Sequence, residues 1–94
     1  MTRPSDWAGW QPATQLVRGG SVRSAFDETS EALYLTSGYV YPNAEAAEEA
    51  FAQRLDRFVY SRYGSPTVGM LEERLRLIEG AEACRVTATG MAAV

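Results

Sequence analysis

Lysine and histidine are both absent from this 94-residue chain, whose nine basic residues are all arginines, and it has a single cysteine, Cys84. With no histidine, the commonest metal ligand and proton carrier near neutral pH is missing, so no metal site is expected. With no lysine, no side-chain amine can bond covalently to a carbonyl. One cysteine excludes an internal disulfide, and a reducing cytoplasm is the natural expectation. The formal net charge is −3 and no basic run exceeds two residues. Nucleic-acid binding rests on clustered Lys and Arg, so that class of partner is not expected. Nor does any apolar stretch approach the roughly 20 residues of a membrane span, and the N-terminus lacks a basic-then-apolar signal pattern.

What is present suits one small domain, with an ordinary apolar content of 46%. Residues 1–11 form a polar arm broken by Pro4 and Gly9, in which Trp7 and Trp10 have no local partner and are expected to pack on another surface or stay loose. Pro12 begins a short helix through about Arg18, stopped by Gly19-Gly20. Residues 21–42 read as irregular, with weak strand signals at Leu33–Leu35 and Tyr39–Tyr41.

The spacing predicts a helix over 44–57, capped by Asn43, with Ala47, Phe51, Leu55 and Phe58 as its buried stripe. Its early glutamates and late Arg54 and Arg57 complement the helix dipole. A second helix is predicted over 66–79, with Val68, Leu71, Leu75 and Ile78 on one stripe, a Glu72–Arg76 pair, and Gly80 closing it. Residues 83–88 read as a short strand, within which Cys84 is a small packed residue because no histidine exists to activate it. Thr89-Gly90-Met91 then opens a third helix, where free backbone N–H groups form a general anion site. The apolar run Gly90–Val94 has no polar end, so the chain is expected to be an N-terminal piece of a larger enzyme.

Between the two long helices lies Tyr60-Ser61-Arg62-Tyr63-Gly64-Ser65-Pro66-Thr67. It holds two phenols and a guanidinium within four residues. Arg62 offers a five-donor fork for phosphate or carboxylate, and the Tyr60 hydroxyl can reach the same anion. Gly64 is expected to permit a turn that other residues resist, with Ser65 and Pro66 as N-cap and first helical position. From these residues alone, a solvated loop with a tyrosine pair packed on a neighbour is the simpler account.

The octet resembles the Tyr-Ser-Arg-x-x-Asn-Pro-Thr signature of the Cys/Met-metabolism family of pyridoxal-phosphate enzymes. Val17-Arg18-Gly19-Gly20 resembles a Val-Arg-Ala-Gly near those enzymes' N-terminus. Ser30–Leu33 with Thr36–Tyr41 resembles the next segment of one branch of the family. Glu72–Leu75, Glu79–Glu82 and Ala88–Ala93 continue the likeness in order and spacing, so that it covers about residues 14–94. Ser65 stands where the family usually has Asn, and Thr89 where it has Ser; both can still cap a helix.

The resemblance implies an α/β fold: an N-terminal fragment of a fold-type I pyridoxal-phosphate-dependent transferase, mostly helical with an extended arm and one or two short strands. It divides the chain into residues 1–58, an arm and first helix contacting a neighbouring subunit, and 59–94, the start of the cofactor-binding large domain. It implies pyridoxal 5'-phosphate as cofactor, its phosphate bound by the backbone N–H groups of Gly90 and Met91 within one subunit. Tyr60 and Arg62 are implied to reach the phosphate of the neighbouring subunit's cofactor, in a homotetramer built as a dimer of dimers.

Because there is no lysine, no catalytic residue is expected here and the fragment alone is expected to be inactive. Tyr63 and Val68 look most like the branch that performs γ-replacement in methionine biosynthesis. There sulfide displaces succinate from O-succinylhomoserine to give homocysteine. Cystathionine γ-synthase and γ-lyase share the same signature and remain alternatives. A non-enzymatic helical interaction module with an acidic surface leaves the ordered motifs unexplained.

Overall fold

The computed structural model describes residues 7–94. Pro4 and the first part of the expected arm lie outside them. Among the described residues four helices have both ends defined, α1 (Pro12–Arg18), α2 (Ala44–Phe51), α3 (Pro66–Glu79) and α4 (Gly90–Ala93). Among the described residues no strand forms; the nearest to one is an isolated antiparallel bridge between Gly38 and Tyr60. The chain divides into two compact units, Met1–Ala32 with Thr67–Val94, and Leu33–Pro66.

In the first unit, Pro12 starts α1 with its preset φ, and the Gly19 N–H closes it on the Gln15 carbonyl at 2.8 Å. The glycine pair also does something the sequence did not suggest. Gly20 sits at φ +80°, and a Cβ there would come within 2.8 Å of the Met70 carbonyl oxygen and 3.0 Å of the Arg74 nitrogen. At Gly19 a Cβ would lie 3.0 Å from Leu77 Cδ1. Two missing side chains thus let the loop backbone lie directly on α3.

Arg74 of α3 fastens that loop. Its Nε donates to the Gly19 carbonyl at 2.8 Å, and its Nη2 to Ser21 Oγ at 3.0 Å and to the Glu31 carboxylate. The Val22 N–H points at Met70 Sδ, 3.2 Å away. Trp7 and Met70 are buried, and Gln15 ties the Trp7 backbone to α1, its Nε2 donating to the Trp7 carbonyl at 2.9 Å. This corrects the expectation that Trp7 has no local partner. A large ring gains by leaving water, and here it does so within the chain.

α3 has the predicted bounds and ends as predicted at Gly80, at φ +63°, with the Ala81 N–H bonded to the Arg76 carbonyl at 3.0 Å. Its charge pairing differs. Arg76 grips Glu73, with Nε 3.0 Å from Oε2, instead of Glu72. Glu72 accepts the Val86 N–H at 3.0 Å. The same contact explains why the strand predicted at 83–88 is absent. No described strand lies alongside to pair with it, so its backbone donor turns to a side chain. The stripe Val68, Leu71, Leu75 and Ile78 remains 38–50% exposed, and the buried residue of α3 is Met70.

In the second unit, Asn43 Oδ1 caps α2 by accepting the Ala46 N–H at 2.7 Å. The helix stops at Phe51, not at residue 57 as the spacing predicts. Gln53 adopts φ +63°, and the N–H groups of Arg54 and Leu55 both turn back to the Glu49 carbonyl, at 2.9 and 3.2 Å. A left-handed residue at this position ends a helix. Arg54 folds back as well, its Nε 2.9 Å from Glu49 Oε2. The expected buried stripe changes accordingly: Ala50 is buried, whereas Phe51, Leu55 and Phe58 stay exposed. Aromatic contacts hold the rest of this unit. Tyr39 stacks on Phe58 at 6.0 Å, Tyr41 meets Phe51 at 5.9 Å, and the Arg57 guanidinium lies 4.2 Å above the Tyr41 ring.

Candidate functional site

The Tyr60–Gly64 loop is fixed by its backbone. Tyr60 bridges Gly38, the Ser61 N–H donates to the Ser37 carbonyl at 3.0 Å, and Ser61 Oγ donates to the Thr36 carbonyl. The N–H groups of Tyr63 and Gly64 then both reach the Tyr60 carbonyl, at 2.9 and 3.1 Å, curling the chain into one tight turn. Gly64 is not at positive φ, and a Cβ there would make only ordinary contact with the Phe58 ring at 3.5 Å. The expectation that the turn needs glycine's conformational freedom is therefore corrected. Repeated bonds to one carbonyl make this turn without it.

The turn gathers three side chains. The Tyr60 and Tyr63 rings meet edge to face, 6.1 Å apart at 65°. The Arg62 guanidinium carbon lies 4.6 Å from the Tyr63 ring centroid, and its Nη2 donates to the Tyr63 hydroxyl at 3.0 Å. Tyr60 is 43% exposed, and Arg62 and Tyr63 are exposed. Among the described residues the Tyr60 hydroxyl has no hydrogen-bond partner, and no carboxylate pairs with Arg62. A groove of about 520 Å³ lined by Ala50, Phe51, Gln53, Val59 and Tyr63 adjoins the turn.

Gly90 and Met91 lie in the other unit, at the start of α4. Thr89 Oγ1 accepts the Ala92 N–H at 3.1 Å, which satisfies the third donor of the first turn. The N–H groups of Gly90 and Met91, ahead of it, are among the donors a helix start leaves free. A Cβ built at Gly90 meets nothing within 4 Å, so the approach to these donors is open. Each of the two groups, taken by itself, offers hydrogen-bond donors: a guanidinium and a phenol hydroxyl in one, two backbone amides in the other. That donor set fits a phosphate dianion. Among the described residues no three His, Cys, Asp or Glu side chains converge to hold a metal. No described helix is long and apolar enough to cross a membrane.

Sequence reasoning missed Tyr63 as the partner of Arg62, because adjacent residues meet only when a turn brings them round. It also missed the cluster of Gly20, Arg74 and Glu31. The spacing of those three residues in the chain carries no periodic signal.

The profile of the Cys/Met metabolism PLP-dependent enzyme family matches residues 13–94. An O-succinylhomoserine sulfhydrylase of Mycobacterium tuberculosis is 65% identical over 86 residues, covering 92% of this chain and 21% of that protein. A Pseudomonas aeruginosa O-succinylhomoserine sulfhydrylase is 44% identical over 90 residues, 96% of this chain and 22% of its own. An L-methionine gamma-lyase of Porphyromonas gingivalis is 34% identical over 82 residues, 87% of this chain and 21% of its own. The chain therefore spans about a fifth of the length of these curated relatives. Since the matched span contains Tyr60, Arg62, Gly90 and Met91, the site described above lies inside the likeness, and the chain belongs to the Cys/Met metabolism PLP-dependent enzyme family.

Proposed function

We propose that the enzyme carrying this chain is an O-succinylhomoserine sulfhydrylase. The observation that carries the proposal is the 65% identity to a protein of that name across 92% of the chain, anion-reading loop included. In the proposed reaction the Cγ–O bond of O-succinylhomoserine breaks, succinate leaves, and hydrosulfide forms the new Cγ–S bond of homocysteine. Pyridoxal phosphate supplies the electron sink for such chemistry. The lysine that would anchor it lies on residues other than these.

This chain's part is to hold the phosphate. The Gly90 and Met91 N–H groups bind it at the positive end of α4 within one subunit. Tyr60 and Arg62 bind the phosphate of the neighbouring subunit's cofactor, adding a charge-assisted hydrogen bond from the guanidinium. Their exposure supports this arrangement: a loop whose guanidinium is paired with no carboxylate and whose Tyr60 hydroxyl has no partner among the described residues can complete a site across a two-fold axis. On this proposal residues 1–58 contact the neighbouring subunit and residues 59–94 begin a large domain of fold type I. The assembly is a cytoplasmic dimer of dimers.

The test is to incubate the enzyme, at the full length of its relatives, with O-succinylhomoserine and sulfide. Homocysteine and succinate should appear in equal amounts. Homocysteine formation absent with sulfide, while cysteine is accepted to give cystathionine, would assign the enzyme to another branch of the family.

A further inference from the structure

We infer that Tyr63 is a positioning residue that pre-organises Arg62 for the cofactor phosphate, an inference that rests on the phosphate-binding role proposed above for Arg62. Side chains of adjacent residues ordinarily diverge. Here the turn closed on the Tyr60 carbonyl brings them together, so that the Tyr63 ring lies 4.6 Å from the Arg62 guanidinium carbon and its hydroxyl accepts from Nη2 at 3.0 Å. Tyr63 is itself braced, edge to face, by Tyr60 at 6.1 Å. The three side chains form a ladder, Tyr60 to Tyr63 to Arg62, with the anion-reading groups at its two ends.

The chemistry of the brace suits the task. Arg54, Arg74 and Arg76 are each held by a carboxylate. A carboxylate on Arg62 would compete with an incoming phosphate for the same donors. A neutral ring and hydroxyl do not neutralise the guanidinium, and they leave its remaining N–H groups free to bind. A free arginine side chain loses rotamer freedom when fixed. Holding it beforehand removes part of that loss from the binding step. The brace is a contact of the loop with itself.

The experiment is a titration of the full-length apoenzyme with pyridoxal phosphate, and in parallel with pyridoxal, which lacks the phosphate. The variants are Tyr63→Ala, Tyr63→Phe, Arg62→Ala and the double variant Arg62→Ala with Tyr63→Ala. An exposed cation–π contact and one hydrogen bond together imply that Tyr63→Ala weakens pyridoxal-phosphate binding about fivefold. Pyridoxal affinity should not change. Tyr63→Phe keeps the ring and should restore part of the loss. In the Arg62→Ala background Tyr63→Ala should add nothing, since the residue it positions is gone. An equal loss in both backgrounds overturns the inference, as does wild-type affinity in Tyr63→Ala while Arg62→Ala is impaired. If Arg62→Ala itself binds pyridoxal phosphate normally, the phosphate role proposed for Arg62 falls too.

Discussion

Arg74 in α3 donates to the carboxylate of Glu31, 43 residues earlier in the chain, and the same guanidinium holds the Gly19 carbonyl and Ser21 Oγ. One side chain therefore fixes both ends of the loop after α1. The hydrogen bond from Arg74 is the main reason the Glu31 carboxyl titrates below its ordinary value of 4.5; burial acts in the opposite direction.

This depression sets the sign of a pH dependence. A carboxyl whose folded pKa is depressed contributes stability above its unfolded value, and loses it as pH falls through the folded one. Glu31→Gln should therefore loosen residues 19–31 at neutral pH by about 1 kcal/mol, a charged hydrogen bond discounted for the water that still reaches it. Amide hydrogen exchange of that segment in the full-length enzyme reads the effect. Variant and wild type should differ at pH 7 and converge well below pH 4.5. Equal protection at pH 7 would show that Arg74 and Glu31 do not fasten the loop.

Gly20 and Gly80 both have positive φ, yet they should respond differently to alanine. Gly80→Ala meets nothing within 4 Å, so its cost is the left-handed backbone alone, about 1–2 kcal/mol. Gly20→Ala adds a collision with the Met70 carbonyl at 2.8 Å. Overpacking of this kind costs about 1–3 kcal/mol more. Melting temperatures of the two variants should rank Gly20→Ala well below Gly80→Ala. Equal melting temperatures would mean that the loop does not lie on α3 as described.

The 94 residues by themselves should not behave as a stable monomer. Among the described residues the buried apolar side chains are Trp7, Ala50 and Met70, while the α3 stripe of Val68, Leu71, Leu75 and Ile78 stays in water. Even complete domains fold with a margin of only about 5–15 kcal/mol. The purified chain should self-associate through this stripe, or melt without a sharp transition, in sedimentation and thermal unfolding. A monomer with one cooperative transition would contradict this.

What could be read in the sequence was local. Pro12, Asn43, Gly80 and Thr89 act where their own chemistry places them, because a cap or a stop is decided within a few residues. The spacing over-extends α2 because helical periodicity continues past Phe51, whereas the left-handed turn at Gln53 that ends it involves no glycine or proline. The strand at 83–88 failed for a different reason. Strand pairing is not local, and β-type composition cannot say whether a neighbour is at hand. The residues proposed to bind phosphate are legible as donor types at a spacing. Their brace, Tyr63, became visible only once the turn had closed.

In the proposed function the exposed guanidinium of Arg62 binds the cofactor's phosphate. The most direct measurement is the dissociation constant of pyridoxal phosphate for the full-length enzyme with and without Arg62. A hydrogen bond from a charged group is worth about 1.5–3 kcal/mol, so Arg62→Ala should bind the cofactor roughly ten- to a hundredfold more weakly while keeping its fold and melting temperature. Unchanged affinity in a folded Arg62→Ala enzyme would contradict the account.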